Sequence, residues 1–144
     1  MLRVKVKLLN DKAVIPTYAT DGSGCFDIYA CEDAEVIAEG QHVFSTGLSF
    51  AIPEGHVMLV FSRSGHGFKH NVRLANCVGV IDSDYRGELL VKLTNDSVIK
   101  SVPLLSKNAI AQGLVLPIEK VVFEEVYELD ETTRGTNGFG STNK

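Results

Sequence analysis

Gly79-Val80-Ile81-Asp82-Ser83-Asp84-Tyr85-Arg86-Gly87-Glu88 sets a short polar turn between two apolar runs, and this stretch decides the fold class. Before the turn, Val78, Val80 and Ile81 are β-branched. After it, Leu89, Val91 and Leu93 alternate with Glu88, Leu90 and Lys92 at the period of two that a half-buried strand requires. The pattern predicts a β-hairpin. Asp and Ser are ordinary turn residues because their side chains bond nearby backbone, so Asp82 alone is accounted for as a turn former. Gly79 and Gly87 bracket the turn, however, and glycine within a strand pattern marks a place where a ligand or another backbone comes close. A flat ligand fits against such a hairpin, with Tyr85 as an aromatic platform and the Asp82 carboxylate within reach.

Outward from this stretch the texture persists. Thirteen glycines and four prolines interrupt 144 residues at short intervals, and almost no ten-residue window carries the 3.6-residue apolar period of a helix. An all-β fold is predicted, in one domain large enough to bury a core without disulfides or a structural metal. At the N-terminus Val4, Val6 and Leu8 oppose Arg3, Lys5 and Lys7. Residues 16–24 read as a loop. Phe26, Ile28 and Ala30 then alternate with Asp27 and Tyr29, turning Asp27 away from the core side. Leu48, Phe50 and Ile52 lead to Pro53-Glu54-Gly55, read as a type I turn with Pro second and Gly last. Residues 56–61 are apolar on nearly both faces, as in a strand covered on both sides. At most one short helix is expected, over 65–70. Residues 121–129 fit helix and strand templates equally.

Composition excludes several classes. A formal net charge of -4 argues against general nucleic-acid binding, which rests on phosphate neutralisation. A bound polyanion would meet a few placed arginines. No apolar run approaches a bilayer's thickness, so no membrane role is expected. The chain opens on a strand rather than a signal or transit segment, so a cytoplasmic location is expected. Cys25, Cys31 and Cys77 are odd in number and lack the paired spacing of a zinc site, which predicts reduced, mostly buried thiols. His66 and His70 lie four apart, but Gly67 stands where a zincin motif needs Glu and Lys69 would repel a cation.

Arg63 and Ser64 place a bidentate cation beside a hydroxyl donor, a pairing suited to phosphate, although such a loop is common. Asn76 offers a donor and an acceptor, or simply orders a loop. From Arg134 to Lys144 the chain is polar and glycine-rich, and Phe139 is its only large apolar side chain. It cannot pack a core of its own. It lacks the Gly-Lys-Ser/Thr end of a P-loop, since Ser141 follows Gly140. Arg134, the exposed amides and the hydroxyls of Ser141 and Thr142 suit anionic oxygens, and an aromatic among glycines suits a lid stacked on a base.

Taken together, Asp27, Arg63-Ser64-Gly65, the Asp82 turn, Ile110-Ala111-Gln112 and the tail resemble the five motifs of trimeric deoxyuridine triphosphate nucleotidohydrolases (dUTPases) in order, spacing and residue type. The resemblance spans nearly the whole chain. It is most specific at 79–88 and at Arg-Gly-Thr-Asn-Gly-Phe-Gly-Ser-Thr, residues 134–142. Departures stand at Gly24-Cys25, at His66, where the family is apolar, and at Asn143. In the fourth motif, Ala109 and Gly113 replace the family's usual Arg and Leu.

The resemblance implies a jelly-roll-like, distorted β-barrel over 1–133, with a tail over 134–144 closing on an active site, assembled as a homotrimer. It implies hydrolysis of dUTP to dUMP and pyrophosphate with Mg²⁺, which keeps uracil out of DNA and supplies dUMP for thymidylate synthesis. Asp82 would be the catalytic base, and Asp27 would hold Mg²⁺ through water. Arg63, Ser64, Gly65 and Gln112 would meet the phosphates, and Asn76, Gly79, Ile81 and Tyr85 the nucleoside. Arg134, Phe139, Gly140 and Ser141 would close over both. A dCTP deaminase, the nearest alternative, would need an acid-base Glu in the hairpin region. A non-catalytic dUTP-binding regulator would carry the same motifs.

Overall fold

The structure, a computed structural model, describes residues 1–138; Phe139, Gly140, Ser141 and Thr142, assigned above to the tail site, lie outside them. Two four-stranded antiparallel sheets form the body. In the first, β1 (Lys5–Leu8), β4 (Gln41–Ala51), β8 (Glu88–Asn95) and β6 (Val72–Leu74) lie in that spatial order. In the second the order is β2 (Phe26–Tyr29), β10 (Ala109–Pro117), β5 (His56–Phe61) and β7 (Val78–Ile81). A small pair, β3 (Ala34–Val36) with β9 (Val102–Leu104), closes one end. The predicted all-β, jelly-roll-like class is thus observed. The helix is α1 (Ser64–His70), one residue longer than expected, and it ends at Asn71 in the left-handed region (φ 56°).

The core follows the period of two. Leu89, Val91 and Leu93 are buried while Leu90 and Lys92 are exposed. Phe44, Leu48, Ile28, Met58 and Ile110 meet them between the sheets, each fully buried and each contributing about 1.5–3 kcal/mol through removal from water.

The central stretch is not a hairpin. Val78–Ile81 pairs with β5, Ile81 opposite Met58 and Val78 opposite Phe61, whereas Glu88–Asn95 pairs with β4 and β6. Residues 82–87 therefore carry the chain from one sheet to the other. The alternation is real, but each strand finds its partner far away in sequence. Smaller expectations are corrected as well. The turn after β4 runs from Pro53 to His56, closed by His56 N–H to the Pro53 carbonyl at 3.2 Å. Gly55 is its third residue at φ +75°, the mark of a type II rather than a type I turn. Of the cysteines only Cys31 is buried; Cys25 is half-buried and Cys77 exposed, because Cys77 occupies a left-handed turn position (φ 63°) between β6 and β7. Leu8 is exposed at the free edge of the first sheet. Residues 121–129 form neither helix nor strand.

Candidate active site

Where β7 and β8 diverge they leave a groove of about 480 Å³, lined by Asn76, Gly79, Ile81, Val60 and the β8 residues Leu89 to Lys92. It has the size of a small-molecule site. The sheet edges explain it: β7 is paired only with β5, and the pairing of β6 with β8 gives out after Ala75 N–H donates to the Lys92 carbonyl. Main-chain donors and acceptors thus front the groove. A β-carbon on Gly79 would come within 3.2 Å of Val60 Cβ and 3.9 Å of Asn76 Nδ2, so glycine there keeps the groove floor bare.

The groove continues into a smaller recess of about 240 Å³ lined by Ile81, Asp82, Tyr85 and Leu89. Asp82 opens a four-residue turn closed by Tyr85 N–H to the Asp82 carbonyl at 3.3 Å, and its side chain is exposed. Tyr85 folds back, its hydroxyl donating to the Glu88 carbonyl at 2.9 Å. Its ring occupies the space over Gly87, where a β-carbon would lie 2.6 Å from Tyr85 Cζ. Arg86 spans the turn from within, its Nη1 donating to the carbonyls of Ser83 (2.7 Å) and Tyr85 (2.9 Å).

A second cluster lies at the other end of β5. Asp27 and Gln112 face each other in the β2–β10 ladder. Arg63 Nε sits 3.3 Å from Asp27 Oδ1, and Arg63 Nη1 donates to the Ala109 carbonyl at 3.1 Å. A guanidinium has five N–H donors, so these contacts fix its plane and leave capacity for phosphate. Gln112 donates to the Ser62 carbonyl at 3.0 Å. Ser62, Arg63, Ser64 and Gln112 line one open recess of about 500 Å³, and Gly65 follows in the exposed first turn of α1. Ala109 thus serves Arg63 through its backbone, which any side chain at that position would offer. His66, one turn into α1, has its pKa lowered by burial and then by the nearby charges of Arg63 and His70.

Asp27, Arg63, Ser64 and Gln112 are therefore brought together, as are Asn76, Gly79, Ile81, Asp82 and Tyr85. The two groups do not converge. Because Phe61 pairs with Val78 and Met58 with Ile81, Arg63 lies beyond one end of that ladder and Asp82 beyond the other, separated by at least about 10 Å of strand. Arg134 belongs to neither group; its Nε donates locally to the Asn137 carbonyl at 3.1 Å. Ser62, Arg86 and Glu88 were missed in the sequence. Glu88 alone left a signal, as a carboxylate at the head of an apolar strand.

The sequence profile of the dUTPase family matches residues 11–143. The deoxyuridine 5'-triphosphate nucleotidohydrolase of Nautilia profundicola is 39% identical over 143 residues, covering 99% of this chain and 100% of the relative. The dUTPase of Staphylococcus bacteriophage 80alpha, solved with dUPNHPP, superposes with a TM-score of 0.90 at 26% identity over 98% of each chain. A mutant dUTPase from phage phi11 of S. aureus, solved with a structural Mg(II) ion, superposes at 0.80 and 22% identity over 88% of this chain and 98% of that one.

Proposed function

The chain belongs to the dUTPase family and hydrolyses dUTP, and on that premise we propose that it does so at a site assembled from several copies of itself. The observation that carries this reading is the order of groups along one strand ladder. Asn76 and Gly79 line the groove near the Arg63 end, and Asp82 stands at the far end. With uracil in the groove and the α-phosphorus at Asp82, the β- and γ-phosphates point away from the same chain's Arg63. The phosphate cluster must then come from a neighbour, which a homotrimer with three equivalent sites provides. Arg134 and the tail of a further copy complete it.

Uracil presents an N3–H between two carbonyls, and the free main-chain edges of β7 and β8 with Asn76 complement it. Tyr85 packs under the deoxyribose. Asp82, whose side chain is exposed, holds a water and takes its proton as the oxygen attacks the α-phosphorus, and pyrophosphate leaves on the opposite side. General-base action is worth about 10²–10⁴ in rate. The remainder comes from charge stabilisation by Arg63 and Arg134 on the phosphates and by Ser64 and Gln112 as donors.

The donor chemistry fits Mg²⁺. Asp27 supplies one half-buried carboxylate beside the phosphate cluster, and among the described residues no three His, Cys, Asp or Glu side chains form a cage. That suits an ion held chiefly by phosphate oxygens and its own waters, with Asp27 bonding one such water. Bound there, Mg²⁺ would neutralise charge on the triphosphate. Among the described residues no helix is long and apolar enough to cross a membrane, and a cytoplasmic site of action suits a nucleotide substrate.

Pyrophosphate release from a panel of deoxy- and ribonucleoside triphosphates, with and without Mg²⁺, tests the assignment. Turnover confined to dUTP and dependent on Mg²⁺ is expected. Comparable kcat/KM for dCTP or dTTP would overturn it, since a site built on such pairing rejects the wrong base by roughly 10⁴ or more.

A further inference from the structure

The loop that carries Asp82 and Tyr85 belongs to neither sheet, so something else must hold it. Among the described residues, the side-chain hydrogen bonds that tie 82–88 to the rest of the fold all run to one place, an irregularity in β4. There the register against β8 slips: Ser45 opposes Leu90 while Ser49 opposes Glu88, so four steps on β4 match two on β8. Gly47 takes φ +65° within the slip, and a β-carbon on it would lie 2.6 Å from Asn10 Nδ2.

The polar groups exposed by this bulge aim at the loop's exit. Ser49 Oγ donates to the Arg86 carbonyl at 2.6 Å. Thr46 Oγ1 donates to the Leu89 carbonyl at 2.6 Å. Gly47 N–H donates to Glu88 Oε1 at 2.8 Å, and Ser45 Oγ donates to the same oxygen. The Glu88 carbonyl in turn anchors the Tyr85 hydroxyl. The Ser45 hydroxyl, donating to Glu88, accepts at its own oxygen from Cys31 Sγ at 3.1 Å, while Cys31 accepts from Asn10 Nδ2 at 3.6 Å. Each member orients the next. A device that merely closed the sheet would not need a carboxylate at the exit of the 82–87 loop.

We propose that Glu88, held by Ser45 and Gly47 and assisted by Ser49, is a positioning residue for dUTP hydrolysis. It sets the height and tilt of the 82–87 loop, and so places the Asp82 carboxylate and the Tyr85 ring. The inference rests on the reading of Asp82 as the base and of Tyr85 as the sugar platform.

Ser45→Ala, Ser49→Ala and Glu88→Gln, each assayed as the full-length assembled protein, test it beside Asp82→Asn. Loosening the loop should lower kcat for dUTP roughly ten- to hundred-fold, the scale on which small misplacements cost rate, with KM changed less than about threefold. The preference for dUTP over UTP should shrink at the same time, a readout that loss of stability alone does not move. Ser45→Thr, which restores the hydroxyl, should restore kcat. If Ser45→Ala does not fold, Glu88→Gln, which keeps the side chain's shape, carries the test. Variants that keep wild-type kcat and nucleotide preference, whatever their melting temperature, would overturn the positioning role. An Asp82→Asn protein that still turns over dUTP would instead overturn the reading of Asp82, so the two failures are told apart.

Discussion

In the proposed site, the Tyr85 side chain joins fold to selectivity. Its hydroxyl is spent on the Glu88 carbonyl and its ring lies over Gly87, so the exposed face is an apolar plate beside the recess that holds Asp82. A 2'-hydroxyl laid on that plate loses hydration without gaining a partner. Tyr85→Ala is therefore expected to narrow the ratio of kcat/KM for dUTP over UTP by at least about tenfold, and an unchanged ratio would refute the plate. His66 makes a prediction of the opposite kind, about stability. Burial, with help from Arg63 and His70, holds its pKa below the ordinary 6.5, so the unfolded chain takes up a proton more readily than the folded one. Its neutral form is accommodated above pH 6.5; as pH falls through 6.5 toward the depressed folded value, stability is lost. His66→Leu should flatten the acid-side decline in melting temperature, and a decline as steep as in the parent protein would contradict this. Of the groups named from residue type and motif order, Asp27, Arg63, Ser64 and Gln112 are neighbours in the fold, and Asp82 stands at the other end of the strand ladder. Glu88 was not among them, because its partners Ser45 and Gly47 lie 43 and 41 residues away.

Among the elements, period was legible and partnership was not. The alternation at 78–81 and 88–93 gave two strands correctly, yet a hairpin was inferred because adjacency in sequence stood in for adjacency in space. The lower edge of β4, from Gln41 to Ser45, was missed since Ser45, Thr46 and Gly47 break the apolar pattern where the bulge forms. β10 holds a testable compensation. Gly113 stands where the family commonly has Leu, and a β-carbon there would lie 2.7 Å from Phe26 Cε2. Phe26, braced edge-on by Tyr18 at 5.9 Å, fills the missing volume from the neighbouring strand. Gly113→Leu alone should overpack this site and cost about 1–3 kcal/mol in denaturant unfolding. Joined to Phe26→Ala it should regain much of that loss. Simple additivity of the two substitutions would show that the side chains do not share the space.

At the scale of the whole molecule, the proposed site takes groups from more than one chain. After Pro117 ends β10, residues 118–138 contain no helix or strand and expose Val122, Phe123 and Tyr127 almost completely. Exposed apolar side chains so concentrated mark an interaction surface, and a neighbouring copy is the partner for which the proposed shared site calls. In the proposed site, base, phosphate cluster and tail come from different chains. Mixing two inactive variants tests this most directly. A chain truncated before Arg134 keeps its loop but lacks the tail; an Asp82→Asn chain keeps the tail but lacks the base. Each alone should lose at least about 10² in kcat. Unfolded together and reassembled, with subunit exchange verified by mass, the mixed assemblies should regain part of the activity, because an intact loop then meets an intact tail from another copy. Mixed assemblies as inactive as their parents would contradict the shared site.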